Sequence, residues 1–153
     1  MTVNYTRIGV VGAGAMGRGI AQIAAQAGSE VLLLDSFAGA AERGREALAA
    51  QWNKLHEKGK IDAAARDAQI ARVKAVDSVG ALAQCDLVIE AVVEDLEVKR
   101  KLFRELETVV APTATLATNT SSLSVTAIAA GLAHPQRVAG FHFFNPVPLM
   151  KVV

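Results

Sequence analysis

RIGVVGAGAMGRGIAQIAAQAGSEVLLLD, residues Arg7 to Asp35, decides the fold. The apolar run Ile8, Val10 and Val11 leads straight into Gly12, Gly14 and Gly17, spaced G-x-G-x-x-G. Strand, turn, helix and second strand follow one another as in a dinucleotide-binding unit. Gly12 lets the chain turn sharply out of the strand. Gly14 lets the backbone approach a pyrophosphate that a Cβ would hold off, and Gly17 lets the helix pack close to the sheet. The turn Gly12, Ala13, Gly14, Ala15, Met16 and Gly17 is thus the expected phosphate cradle, with the N–H groups and positive dipole end of the helix facing the anion. Met16, Ile20, Ile23, Ala24 and Ala27 recur at helical spacing toward the sheet, and Gly28 ends the helix.

The second strand, Val31 to Leu34, ends at Asp35. A carboxylate about twenty residues beyond the glycine turn accepts hydrogen bonds from the adenosine ribose hydroxyls and repels a 2′-phosphate. Ser36 and Phe37 follow it, with no arginine to pair with such a phosphate. The expected cofactor is therefore NAD rather than NADP.

At 153 residues, 52% of them hydrophobic, the chain has the length of one domain with a substantial core. A formal charge of +1 supplies no field for nucleic acid. The amino-terminal stretch MTVNYTRIGVV has neither a signal-peptide pattern nor a membrane-length apolar run, so a cytoplasmic protein without a membrane partner is expected. The single cysteine, Cys85, precedes an apolar strand and reads as a small core residue. No residue set reads as a metal site.

Beyond Asp35 the pattern keeps alternating strand and helix. The segment from Phe37 to about His56 reads as a long helix, with Ala41, Ala47, Leu48, Trp52 and Leu55 on its apolar side and Gly59 ending it. Lys54, Lys58 and Lys60, with His56, gather at its carboxyl end, which suits either a solvated helix terminus or an anionic ligand. Asp62 caps a second helix to about Ile70, making a helical hairpin before the short strand Val73 to Val76. Asp86 to Val93 reads as a strand buried on both faces, which puts Glu94 at its carboxyl end and Glu90 inside it. A helix from Leu96 to about Val110 and a strand from Thr115 to Thr118 follow, then the polar run Asn119-Thr-Ser-Ser-Leu123. Its hydroxyls read equally as turn and capping groups or as a site. Ser124 caps a helix from Val125, Val138 to Phe143 reads as a strand, and Val147 to Val153 as one more. His142, among aromatics near a strand end, has the residue type and surroundings of a base whose pKa burial would tune.

Gly12 to Gly17, Asp35, the segment AVVED with Lys99, the segment NTSSL and the segment HFFNPVPLMKVV together resemble the NAD-binding half of L-3-hydroxyacyl-CoA dehydrogenases over essentially the whole chain. The resemblance implies a Rossmann-like α/β fold with a doubly wound, mostly parallel sheet and a helical-hairpin insertion. It makes His142 the counterpart of the catalytic histidine, Ser121 that of the serine contacting substrate and cofactor, and Asn145 that of the asparagine beside the nicotinamide. Glu94 and Lys99 correspond to cofactor-side positions, and Lys54 to a lysine touching coenzyme A.

In that family a glutamate that orients the histidine follows MKVV at once. A helical domain that completes the acyl-CoA site and carries a homodimer interface comes next. This chain reads as the cofactor domain, residues 1–153, without that part. The resemblance therefore implies that it binds NAD(H) with negligible turnover of 3-hydroxyacyl-CoA, and that Phe143, Phe144, Val147 and Leu149 form an exposed apolar patch. A dehydrogenase of the 3-hydroxyisobutyrate or 6-phosphogluconate type resembles the chain poorly at HFFNP. A non-catalytic NAD-binding module is the other alternative, against which the presence of Ser121, His142 and Asn145 weighs.

Overall fold

In each central strand successive apolar side chains point to opposite faces, and both faces are covered. The computed structural model describes residues 4–153; the first three residues of the amino-terminal stretch read above for a leader lie outside the described residues. Strands β1 (Arg7–Val11), β2 (Glu30–Leu34), β3 (Val73–Val76), β4 (Leu87–Glu90), β5 (Thr115–Thr118) and β6 (Val138–Gly140) form one sheet of order β3-β2-β1-β4-β5-β6. All pairings are parallel, with Val10 opposite Leu33 on one side and Ile89 on the other. The helices are α1 (Ala15–Gln26), α2 (Ala40–Glu57), α3 (Ala63–Arg72), α4 (Leu96–Val109) and α5 (Val125–Ala129).

Ile8, Val10, Val31, Leu33 and Ile89 pack with Ile20 of α1 and with Leu48 and Trp52 of α2. Val11, Leu32, Leu34, Val88 and Leu116 pack on the other face with Phe103 and Leu106 of α4 and Ile128 of α5. This is the doubly wound sheet expected, with α2 and α3 as the hairpin between β2 and β3. Asp62 caps α3 by accepting from the Ala65 N–H at 2.7 Å, and Ser124 caps α5 by accepting from the Ala127 N–H at 3.1 Å. Cys85 is a buried core residue, and burial pushes its thiol up to about 11. No helix among the described residues is long and apolar enough to cross a membrane.

The differences from the sequence reading lie at element ends. β4 stops at Glu90 rather than Val93, because the Glu90 carboxylate itself takes the Val92 N–H at 2.8 Å. Glu90, not Glu94, is therefore the strand's last residue. β6 stops at Gly140 rather than Phe143 for the same kind of reason: the Phe143 N–H goes to Asn119 Oδ1 at 2.9 Å. In both places a side chain claims the backbone donor that a longer strand would use. The expected strand from Val147 to Val153 is absent. Pro146 and Pro148 carry no N–H, and the Pro146 carbonyl accepts from both Leu149 and Met150 in a turn. α2 begins at Ala40, since the Asp35 carboxylate takes the Phe37 N–H at 2.9 Å and leaves Phe37 in a loop. Ala27 and Ala47 are exposed instead of facing the core.

Candidate cofactor and catalytic site

With every strand parallel, the residues that follow β1, β2, β4, β5 and β6 emerge along one edge of the sheet. β1 is flanked by β2 and β4, so the chain reverses its winding there and opens a crevice at the strands' carboxyl ends. Gly12 takes φ +109°, and a Cβ on it would lie 2.3 Å from the Ala91 carbonyl oxygen. On Gly17 a Cβ would lie 1.7 Å from the Gly12 carbonyl oxygen, so α1 starts directly against the turn. A Cβ on Gly14 would meet nothing within 4 Å. That is the position where the backbone borders open space.

The open space is a cleft of about 820 Å³ lined by Gly12, Ala13, Gly14, Asp35, Phe37, Val92, Val93 and Leu102, with Arg18, Arg43 and Lys101 among its polar walls. Its size suits a nucleotide-scale ligand. The amino terminus of α1 has no side-chain cap and no acidic residue in its first turn. Its free N–H groups and dipole suit the phosphates of NAD. Asp35 accepts from the Ala13 N–H at 2.7 Å and from Phe37, locking the second strand's end to the glycine turn. Its remaining lone pairs are available to ribose hydroxyls. Of the other cradle residues, Ala15 faces a second cavity, Met16 packs against the core and Gly17 is buried.

Across the edge, the 119–123 loop is gathered by Glu94. Glu94 Oε2 accepts from the Thr120 hydroxyl at 2.8 Å, the Ser121 N–H at 3.4 Å and the Ser122 hydroxyl at 3.3 Å. Its Oε1 lies 3.0 Å from the Lys99 ammonium. Partial burial raises the Glu94 pKa, but Lys99 and Thr120 outweigh it and hold the carboxyl below the ordinary carboxylate range. Lys99 is wholly buried and pairs also with Glu90 at 2.5 Å. It does not line the cleft. The Ser121 side chain is exposed on this loop.

His142 is exposed, contrary to the burial expected for it. The backbone after β6 alternates, turning Phe141 and Phe143 toward the core and His142 and Phe144 outward, where the two rings lie 4.7 Å apart. The segment is held at both ends of this alternation, by Phe141 N–H to the Thr118 carbonyl at 2.9 Å and by Phe143 N–H to Asn119. The expected patch is likewise half formed: Phe144 and Leu149 are exposed, whereas Phe143 and Val147 are buried, Val147 closing against Gly19 of α1. Asn145 lines a smaller cavity of about 280 Å³ between α1, α2 and the 145–148 turn. Lys54 is exposed near the end of α2, and His56 bonds the Ile61 carbonyl at 3.1 Å, closing the hairpin. Among the described residues no group of three His, Cys, Asp or Glu side chains is placed to hold a metal ion.

A family model described as 3-hydroxyacyl-CoA dehydrogenase, NAD binding domain, matches residues 7–153. The chain belongs to that family. NAD is the cofactor its members bind in this domain. The chain is 47% identical over its whole length to the 3-hydroxyadipyl-CoA dehydrogenase of Escherichia coli, of which it covers 32%, and 44% identical to the 3-hydroxybutyryl-CoA dehydrogenase of Bradyrhizobium diazoefficiens, of which it covers 52%. The crystal structure of 3-hydroxybutyryl-CoA dehydrogenase from Escherichia coli superposes with a TM-score of 0.94 at 47% identity, over 97% of this chain and 32% of that one. The chain thus spans about a third to about half of the length of these relatives.

The features that sequence reasoning missed in this family member are side chains acting on backbone. Asn119, Thr118 and Glu90 fix the strand ends, and Arg18, Arg43 and Lys101 enter the cleft from helices. For Glu90 a signal existed: an acid inside an apolar strand demands a buried partner, and Lys99 begins the next helix's second turn.

Proposed function

We propose that this chain is the cofactor half of a cytoplasmic enzyme that interconverts (S)-3-hydroxyacyl-CoA and 3-oxoacyl-CoA. The observation that carries this reading is that the Gly12–Gly14 turn, Asp35, Glu94, Ser121, His142 and Asn145 all follow strand carboxyl ends on one edge. One continuous site can therefore hold the cofactor across β1 and present its reactive end to the loops after β4, β5 and β6.

The bound nicotinamide supplies a hydride acceptor. His142, as the neutral imidazole, takes the proton from the substrate's 3-hydroxyl as the C3 hydrogen departs with its electron pair, and in the reverse direction returns that proton to the carbonyl oxygen. Ser121 and Asn145 hold the reacting oxygen and the cofactor by hydrogen bonds, and the Lys54 region meets the anionic end of coenzyme A. The exposure of His142 follows from its place at the rim, which the acyl-CoA-binding helical domain and the homodimer of the whole enzyme would cover. The chain alone then binds NAD(H) but leaves the alcohol unprotected from water and the histidine without its carboxylate partner.

The test is a titration of the chain with NADH, read by energy transfer from Trp52, its single tryptophan, alongside acetoacetyl-CoA-dependent NADH oxidation. Saturable binding with negligible oxidation is expected. Robust oxidation by the chain alone would overturn the need for a second domain.

A further inference from the structure

Arg18 stands one turn into α1 and belongs to the walls of both cavities, the cofactor cleft and the smaller one bordered by Asn145. Its backbone N–H bonds the Gly14 carbonyl at 2.9 Å, so the side chain springs from one turn above the glycine that borders open space. Helix side chains lean toward the amino terminus of their helix, which carries this one back over the glycine turn. Its stem runs along Gly44 of α2, with Cγ 3.5 Å from the place a Cβ would take there. The guanidinium has no acceptor in the fold. The other half-buried arginines among the described residues, Arg7, Arg45, Arg66, Arg72, Arg100 and Arg137, each donate to a carboxylate or a backbone carbonyl. The acids that share the cleft are placed otherwise: Asp35 is turned onto the Ala13 and Phe37 N–H groups, and Glu105 belongs to the α4 wall. So are the other cations, since Arg43 leans on the Ala38 carbonyl at 3.4 Å and Lys101 rises from α4.

We infer that Arg18 is a further cofactor-binding residue: its guanidinium clasps the pyrophosphate of NAD over Gly14, adding one charged side chain to a cradle otherwise made of backbone. This rests on the reading that NAD crosses the glycine turn. The uncapped start of α1 offers N–H groups and a partial positive charge to the anion. The planar fork of an arginine adds a full charge and paired donors, a geometry that matches phosphate oxygens.

The test uses the chain itself, with NADH binding read by energy transfer from Trp52 and with ADP and adenosine as competitors. ADP carries the diphosphate and adenosine lacks it. Arg18→Gln should raise the Kd of NADH and of ADP about tenfold, as expected for losing a charge-assisted bond, and leave that of adenosine within about twofold. The difference from wild type should shrink as salt is raised, because a charge at the cleft wall is screened. Arg18→Lys keeps the charge without the fork and should recover part of the affinity for ADP, which a packing role would not give. Both variants should melt close to the wild type, since the guanidinium makes no bond in the fold; if the glutamine variant does not fold, the ratio of ADP to adenosine affinity in the lysine variant decides. Equal weakening of ADP and adenosine, or no change in either, would overturn the inference. An unchanged NADH Kd with a raised KM for acyl-CoA in the whole enzyme would likewise overturn it and assign Arg18 to the Asn145 cavity. A whole enzyme inactive on 3-oxoacyl-CoA would overturn the functional reading alone, because ADP binding judges Arg18 without turnover.

Discussion

The two halves of the site are made differently. Around β1 and β2 the cradle consists of backbone: an uncapped helix start, glycines where a Cβ would strike a carbonyl oxygen, and one carboxylate bonded to main-chain N–H groups. Around β4, β5 and β6 it consists of side chains that reach from one loop to another, Glu94 to Thr120 over 26 positions and Asn119 to Phe143 over 24. A backbone cradle is fixed by local sequence and tolerates little change in the shape of the chain. A side-chain lattice allows one function to be removed while the other stays.

The largest expected effect follows from that separation. In the whole enzyme, His142→Gln should lower kcat about 10²- to 10⁴-fold, the usual range for losing a positioned base, while the NADH Kd changes by less than about twofold. The imidazole is exposed and makes no bond to the cradle, so its loss leaves the cofactor cleft intact. A parallel loss of NADH binding, measured by Trp52 energy transfer, would break the comparison.

Within the cradle the glycines sharpen it. Gly17→Ala puts a methyl 1.7 Å from a backbone oxygen and should destabilise the chain by about 3 kcal/mol in urea unfolding, the upper part of the overpacking range. Gly14→Ala meets no protein atom within 4 Å, so stability should stay within about 0.5 kcal/mol, the range of a surface substitution. Its methyl nevertheless projects where the pyrophosphate approaches, and NADH affinity should fall at least about tenfold, a loss of about 1.4 kcal/mol. Equal affinity for Gly14→Ala and wild type would mean that the ligand does not cross this turn.

The same division explains what could be read from the sequence. Gly12, Gly14, Gly17 and Asp35 carry their geometry in their spacing, because each acts on backbone within one strand-turn-helix-strand unit. The caps Asp62 and Ser124 were legible for the same reason, since each acceptor lies three residues before its donor. The ends of β4 and β6 were not, because they depend on whether Glu90 and Asn119 turn their side chains onto a backbone N–H. For Asn119 that N–H belongs to another loop. Nor could periodicity reveal the exposure of His142: alternation beyond β6 puts it outward only once Phe143 is committed inward, to the core cluster that also holds Ile89 and Trp52. His142 stands out in the sequence as a candidate base by its residue type near a strand end, whereas the roles expected of Ser121 and Asn145 come from family likeness rather than from pattern.

The smallest effect tests the lattice by protonation. Glu94 titrates below an ordinary carboxyl of 4.5 in the folded chain, because the Lys99 and Thr120 bonds outweigh the opposing effect of burial. A group whose folded pKa is depressed stabilises the fold above its unfolded value, and that stabilisation is lost as pH falls through the folded value. Acidification from about pH 5 downward should therefore weaken the chain, and Glu94→Gln should flatten part of that dependence. Glu30, depressed by Lys74 and Arg7, and Glu107, whose burial is outweighed by the Ala133 and His134 N–H groups, supply other parts. The share of Glu94 should stay below about 1 kcal/mol, since water screens a side chain that is 41% exposed. Its location distinguishes it: on acidification Ser122 and Leu123 should lose amide protection before the β1–β2 cradle does, and loss of both together would mean that the two halves of the site are one cooperative unit.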